Sequence, residues 1–140
     1  MAYAKGICYG LEIPLVTVTN FELLADQVGD NYPVYTLIDA RRENYYTGKF
    51  QTSKTSLDEK FLLSVKQLKK YIPGNGTVVV HEETSKGFFA NSFHRRATII
   101  QGEYSAARIC ALGYSKYIQG EYLTLDKIEP LYLQTFAGVL

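Results

Sequence analysis

Apolar residues recur at helical spacing at the start of the chain, where Ala4, Ile7, Cys8 and Leu11 predict a helix over residues 2–11, with Gly10 near its end. Ile13-Pro14-Leu15-Val16-Thr17-Val18 is a short β-branched run and predicts a strand, with Pro14 tolerated near its start. Thr19 and Glu22 form a capping box that opens a helix reaching about Val28. Val34 to Ala40 and Tyr45 to Gln51 alternate as strands, and the polar Arg41-Arg42-Glu43-Asn44 between them predicts a hairpin. Thr52 to Thr55 is a loop. Ser56 with Glu59 is a second capping box, and the helix it opens runs to about Tyr71 with Phe61, Leu62, Val65, Leu68 and Ile72 on one face.

Pro73-Gly74-Asn75-Gly76 ends that helix. Thr77-Val78-Val79-Val80 is continuously apolar, as strands buried on both faces are. Thr84 to Asn91 reads as a short helix and Ala97 to Gln101 as a strand. Residues 104–118 predict a helix with Ala107, Cys110, Ala111, Tyr114 and Ile118 inward and Gly120 as its stop. Ile128 to Gln134 predicts a final strand or edge segment. Strands alternating with helices give a single α/β domain over residues 1–140, a mixed sheet with packed helices.

Composition narrows the function only a little. The chain of 140 residues is 46% apolar and 21% charged with a formal net charge of +1, so no bulk field holds a polyanion. Any meeting with RNA then runs through a local patch or a partner. Cys8 and Cys110 have no metal-like spacing and read as reduced, buried thiols of a cytoplasmic protein. No apolar run approaches the roughly 18 residues of a membrane span, so no membrane partner is expected.

The residues that bear chemistry mostly read as structure. Asp39 closes its strand toward Arg41 and Arg42, either as a polar cluster facing a cleft or as a turn carboxylate accepting backbone N–H bonds; the second is favoured. His81 and His94 stand thirteen residues apart, outside any paired-histidine metal motif, and His81-Glu82-Glu83 reads as a solvated strand end. Gly74-Asn75-Gly76 precedes a strand, the reverse of a phosphate loop. Lys66, Lys69 and Lys70, with Arg95 and Arg96, could touch phosphates, but a charge run opposite an apolar stripe is usually a solvated face. Neither a serine nor a cysteine nucleophile is supported. No catalytic residue, cofactor or metal is assigned.

Four stretches in order carry a family resemblance. Ala4-Lys5-Gly6 leads through a helix end to Ile13-Pro14-Leu15; Asn20-Phe21-Glu22-Leu23-Leu24-Ala25 follows; then Leu37-Ile38-Asp39-Ala40-Arg41-Arg42; and Tyr104-Ser105-Ala106-Ala107 precedes Glu129-Pro130-Leu131-Tyr132-Leu133. Together they resemble the TsaB (YeaZ) family of tRNA threonylcarbamoyladenosine biosynthesis, the glycoprotease-like homologues of M22 peptidases. The family's Gly-rich loop and the lobe before it have no counterpart ahead of Ala4. The resemblance therefore implies the C-terminal part, preceded by a remnant helix and strand of the other lobe. Its fold would be one RNase-H-like lobe of the actin/Hsp70/sugar-kinase superfamily.

What the resemblance implies for function is a non-catalytic partner or scaffold for a TsaD-type subunit, reaching tRNA only indirectly. A standalone glycoprotease-like hydrolase and a truncated lobe without activity are the alternatives. With the first lobe absent, Tyr3, Ile7 and Leu11 should form an exposed interaction surface. It should favour a homo-oligomer through residues 2–11 and weaken the TsaD contact. Glu129-Pro130-Leu131-Tyr132-Leu133 should anchor the tail, with Tyr132 buried.

Overall fold

The computed structural model describes residues 1–29, 32–51, 57–81, 89 and 97–133. They group into two compact units, Met1–Thr19 with Ser105–Tyr132, and Asn20–Tyr104 with Leu133.

The second unit is built on a five-stranded sheet in the order β3-β2-β1-β4-β5. β1 (Val34–Asp39) and β2 (Asn44–Phe50) form the expected hairpin, with Val34 opposite Phe50 and Asp39 opposite Tyr45. β3 (Glu59–Ser64) continues the antiparallel half on β2. β4 (Thr77–Val80) and β5 (Thr98–Gln101) run parallel to β1 on its other side. This mixed sheet with packed helices is the RNase-H-like arrangement that the family resemblance implied.

Alternation along the strands divides the core between the two sheet faces. Tyr35, Leu37, Tyr45, Val78 and Val80 form one cluster with Leu68 and Ile72 of α3 (Val65–Tyr71) and with Phe89. Val34, Phe50 and Val79 form the other, with Phe21, Leu24 and Ala25 of α2 (Asn20–Ala25) and with Val28. β1 and β4 are buried on both faces, which is why their sequences read as nearly continuous apolar runs. The regular turns of α2 stop earlier than expected, although hydrogen-bonded turns continue through Val28. Gln27 then ties this segment to the end of β5: its Nε2 donates to Glu103 O and its Oε1 accepts from Glu103 N, both at 2.8 Å.

The sequence placed residues 59–64 in a helix, and they form β3 instead. Phe61 and Leu63 fit strand alternation as well as a helical face, and short apolar runs do not distinguish the two. Pairing with β2 decides it, through a six-residue ladder from Asn44 opposite Ser64 to Lys49 opposite Glu59. The capping box accordingly lies at Ser64 and Gln67, one strand later than expected. Residues 52–56, with the loop and the expected cap Ser56, lie outside the described residues, as do the 84–91 helix except Phe89 and His94, Arg95 and Arg96.

A polar clasp locks this edge. Lys49 Nζ donates to Glu59 Oε1 at 2.9 Å and the Tyr71 hydroxyl donates to Glu59 Oε2 at 2.8 Å, while Phe61 packs edge-on against Tyr71. The hydrogen bonds from Lys49 and then Tyr71 hold the Glu59 carboxyl below its ordinary value. Burial, then the bond to Glu59, pushes the Tyr71 hydroxyl up. A depressed carboxylate stabilises the fold above its unfolded pKa, and that contribution is lost as pH falls through the lower folded value. Urea midpoints measured from neutral pH to about pH 3 should therefore fall less steeply for Glu59→Gln than for the parent, across and below the usual glutamate range of about 4.3.

The first unit holds α1 (Ala2–Gly10) and α4 (Ala106–Ile118), with a 3-10 turn at Leu125–Lys127. Residues 13–18 do not form the expected strand. Pro14 has no N–H to give a ladder, one isolated bridge joins Leu15 to Leu123, and Lys116 Nζ takes Thr17 O at 3.2 Å. Nor do residues 128–133 form a strand. Ile128 is the buried anchor of that segment, whereas Tyr132 is 68% exposed, so the expected role of Tyr132 is overturned. Both cysteines are free, but only Cys8 is buried; Cys110 is exposed because α4 packs inward through Leu112, on its opposite side.

Candidate interaction surface

The first unit buries little of its own apolar surface. Among the described residues it contributes three buried hydrophobic side chains, Cys8, Leu112 and Ile128, yet fourteen of the sixteen exposed large hydrophobics. Among the described residues of the sheet unit the balance is reversed, with Phe61 and Tyr104 the exposed large hydrophobics. Contiguous exposed apolar surface marks contact with another molecule far more often than scattered residues do.

On α1 the pattern follows from helical geometry. Ala4 and Cys8 lie one turn apart and face inward, where Cys8 Sγ approaches Pro14 O at 4.0 Å. Tyr3, Ile7 and Leu11 follow one another at four-residue steps along a neighbouring stripe, each advancing by about 40°. They are 83%, 42% and 65% exposed, which places the sequence-derived surface residues together on the outside of one helix. Beside them, a Cβ added at Gly6 or Gly10 would meet no atom of the described residues within 4 Å, so this flank of the helix is open. Tyr9 is equally exposed but stands on the opposite side of the helix. Near the first turn of α1, Met1, Ala2 and Lys5 line an open hollow of about 420 Å³ with Ile128, Glu129, Pro130 and Tyr132.

The inward stripe expected on α4 is reversed. Ala107, Cys110, Ala111, Tyr114 and Ile118 are all exposed, and Leu112 on the other side is the buried residue. Sequence reasoning found the amphipathic period but missed its direction. The available signal was that α4 is apolar on two sides, with Ile109 and Leu112 opposite the stripe, as in helices packed between two layers.

Asp39, Arg41 and Arg42 meet in the β1–β2 turn. Asp39 Oδ1 accepts the Arg41 N–H at 2.7 Å, and Asn44 N donates to Arg41 O at 3.1 Å. Arg41, Arg42 and Glu43 all have positive φ, between 51° and 67°, where glycine or asparagine is the usual occupant. The three candidate residues are exposed or at the sheet rim, and Asp39 caps its own turn. His81 departs from its expected solvation: its ring stacks on Tyr104 at 3.9 Å and 26°. Lys66, Lys69 and Lys70 line the exposed side of α3. Among the described residues no three His, Cys, Asp or Glu side chains gather, and no helix is long and apolar enough to cross a membrane.

A family model described as "TsaD: tRNA N6-adenosine threonylcarbamoyltransferase" matches residues 1–113. The chain belongs to this family. Its fold is shared with solved structures. "YeaZ from Pseudomonas aeruginosa" superposes with a TM-score of 0.68 at 18% identity, covering 94% of this chain and 65% of the other. A second structure, of an uncharacterized protein with similarity to peptidase YEAZ from Pseudomonas aeruginosa, gives 0.70 at 17% identity over 95% and 65%. The chain thus spans about two thirds of the length of the structures it matches. No curated protein matches it in sequence. The YeaZ resemblance carried by the sequence motifs holds at the level of fold, and the family model that matches is the TsaD one.

Proposed function

We propose that the chain acts in threonylcarbamoyladenosine modification of tRNA as a non-catalytic partner of a TsaD-type subunit, docking through the exposed α1 stripe. The observation that carries this reading is the concentration of the exposed large hydrophobics, fourteen of sixteen among the described residues, in the first unit of a chain whose family model describes tRNA threonylcarbamoyl transfer. Tyr3, Ile7 and Leu11 supply large, uncharged anchors of the kind that dominate interface energetics. tRNA is reached through the partner, since the chain's net charge of +1 gives no attraction of its own.

The family description itself names a transferase, so a catalytic role is the competing reading. Transfer chemistry needs a converging set of acid, base or metal-ligating groups. Among the described residues no three His, Cys, Asp or Glu side chains gather to hold a metal, the Lys49–Glu59–Tyr71 cluster is a clasp at the sheet edge, and His81 is stacked on Tyr104. These features support the partner role.

Isothermal titration of the chain into a purified TsaD-type subunit tests the proposal. Saturable one-to-one binding at micromolar affinity or tighter is expected. Absence of heat together with separate elution on gel filtration would overturn it.

A further inference from the structure

The net charge of +1 averages two parts of opposite sign. Residues 39–70 hold eight Lys and Arg against four Asp and Glu, while the rest of the chain holds seven against ten. The fold gathers much of the basic part at one edge of the sheet, built by β2, β3 and α3. Val65 N donates to Glu43 O at 3.1 Å, which sets the Arg41-Arg42 turn against the first turn of α3. Lys66 follows directly, and Lys69 and Lys70 stand one helical turn further along. These five cations are exposed, and among the described residues none of them makes an ion pair. Most of the nearby acids are held within the fold. Lys49 cancels Glu59 in the clasp, Asp39 accepts the Arg41 N–H, and Asp58 accepts the Gln51 N–H at 2.7 Å. Glu43 stays beside the cations, and Lys54 lies outside the described residues.

We propose that this edge contacts the phosphate backbone of the tRNA directly, through Arg41, Arg42, Lys66, Lys69 and Lys70. The inference deepens the functional reading above and rests on it for the choice of tRNA as the polyanion. Lys and Arg side chains fix a nucleic-acid backbone without reading its sequence. Their supports suit that task. The arginines sit on a turn that the Asp39 carboxylate caps, and the lysines on a helix anchored by the fully buried Leu68. Neither support has to be ordered on binding. The acidic remainder of the chain cancels the field at long range, and salt screens what is left beyond about 10 Å. The edge therefore holds a tRNA already brought close by the partner. An acidic protein surface is the rival occupant. The family description, which names a tRNA-modifying transferase, favours RNA.

Fluorescence anisotropy of a labelled, unmodified tRNA titrated with the chain tests this. Counterion release contributes about 0.7–0.9 to the log–log salt slope for each phosphate neutralised, so five contacts predict a slope of about −3.5 to −4.5. Affinity should then be about 50-fold to 150-fold tighter at about 50 mM than at about 150 mM salt. Lys66→Ala, Lys69→Ala and Lys70→Ala together should make the slope shallower by about two to three while keeping the parent's circular dichroism. Lys60→Ala is the control. Lys60 is exposed on β3, but Phe61 meets Tyr71 of α3, so alternation turns Lys60 to the other sheet face and its slope should match the parent's. No binding at about 50 mM salt, a triple variant as steep as the parent, or an equal change in Lys60→Ala would overturn the proposal. So would a poly-glutamate of matched charge that binds more tightly than the tRNA, which would assign the edge to an acidic protein. A chain that binds tRNA through these lysines but no TsaD-type subunit would leave this inference standing and remove only the functional reading.

Discussion

Replacing Phe50 by alanine is expected to destabilise the sheet unit by about 3–5 kcal/mol, the usual cost of removing a fully buried aromatic. Phe50 is 0% exposed at the end of β2, opposite Val34, and belongs to the cluster formed with Phe21, Leu24, Ala25, Val28 and Val79. The cavity would open between the hairpin and the segment carrying α2, where the tight fit leaves little room for collapse. Gly48 shows how tight: a Cβ there would lie 2.8 Å from Thr36 Oγ1 and 3.0 Å from Phe21 Cδ1. Phe61, 40% exposed on the edge strand, is the control, and Phe61→Ala should cost much less. Urea unfolding followed by far-ultraviolet circular dichroism measures both. Phe50→Leu serves if the alanine variant does not fold. Equal losses at the two phenylalanines would mean that Phe50 is not at the centre of this packing.

Tyr3→Glu combined with Ile7→Glu is expected to weaken binding to a TsaD-type subunit by about 100-fold to 1,000-fold. Two interface anchors at roughly 2 kcal/mol each give that range, since every 1.4 kcal/mol is tenfold. Both positions are exposed, so the variant should fold as the parent does. Tyr9→Glu is the matched control, because Tyr9 is 80% exposed yet points to the other side of α1. Titration calorimetry on the three proteins separates the stripe from a general effect of added charge. Loss of affinity in the Tyr9 variant alone would move the docking face to the opposite side of the helix.

Much of the fold was legible where local and tertiary preferences agree. The β1–β2 hairpin, the buried β4, α1 and the span of α4 lie where alternation, turn chemistry and helical spacing put them. Reading failed where the deciding partner was remote in sequence. Residues 59–64 are drawn into the sheet by β2 and by the Lys49–Glu59 clasp, against a helical pattern as plausible as the strand. Residues 13–18 have strand composition but gain only one bridge.

The candidate surface was legible on α1, because a stripe at four-residue steps beside two glycines has a definite outward direction. On α4 the same periodicity misled, since amphipathicity reports that a face is apolar and not which body covers it. The Asp39 turn was legible in position, while the left-handed conformations at Arg41, Arg42 and Glu43 were not, because those residue types rarely occupy them.

Reconstituted tRNA modification tests the central claim most directly. A TsaD-type subunit would be supplied with threonylcarbamoyl donor and unmodified tRNA, and modified adenosine would be quantified with and without the chain. The account predicts that the chain alone yields no product, that adding it raises the rate of the TsaD-type subunit, and that Tyr3→Glu with Ile7→Glu removes the increase. Product formed by the chain alone, or a rate indifferent to its presence at saturating concentration, would contradict it.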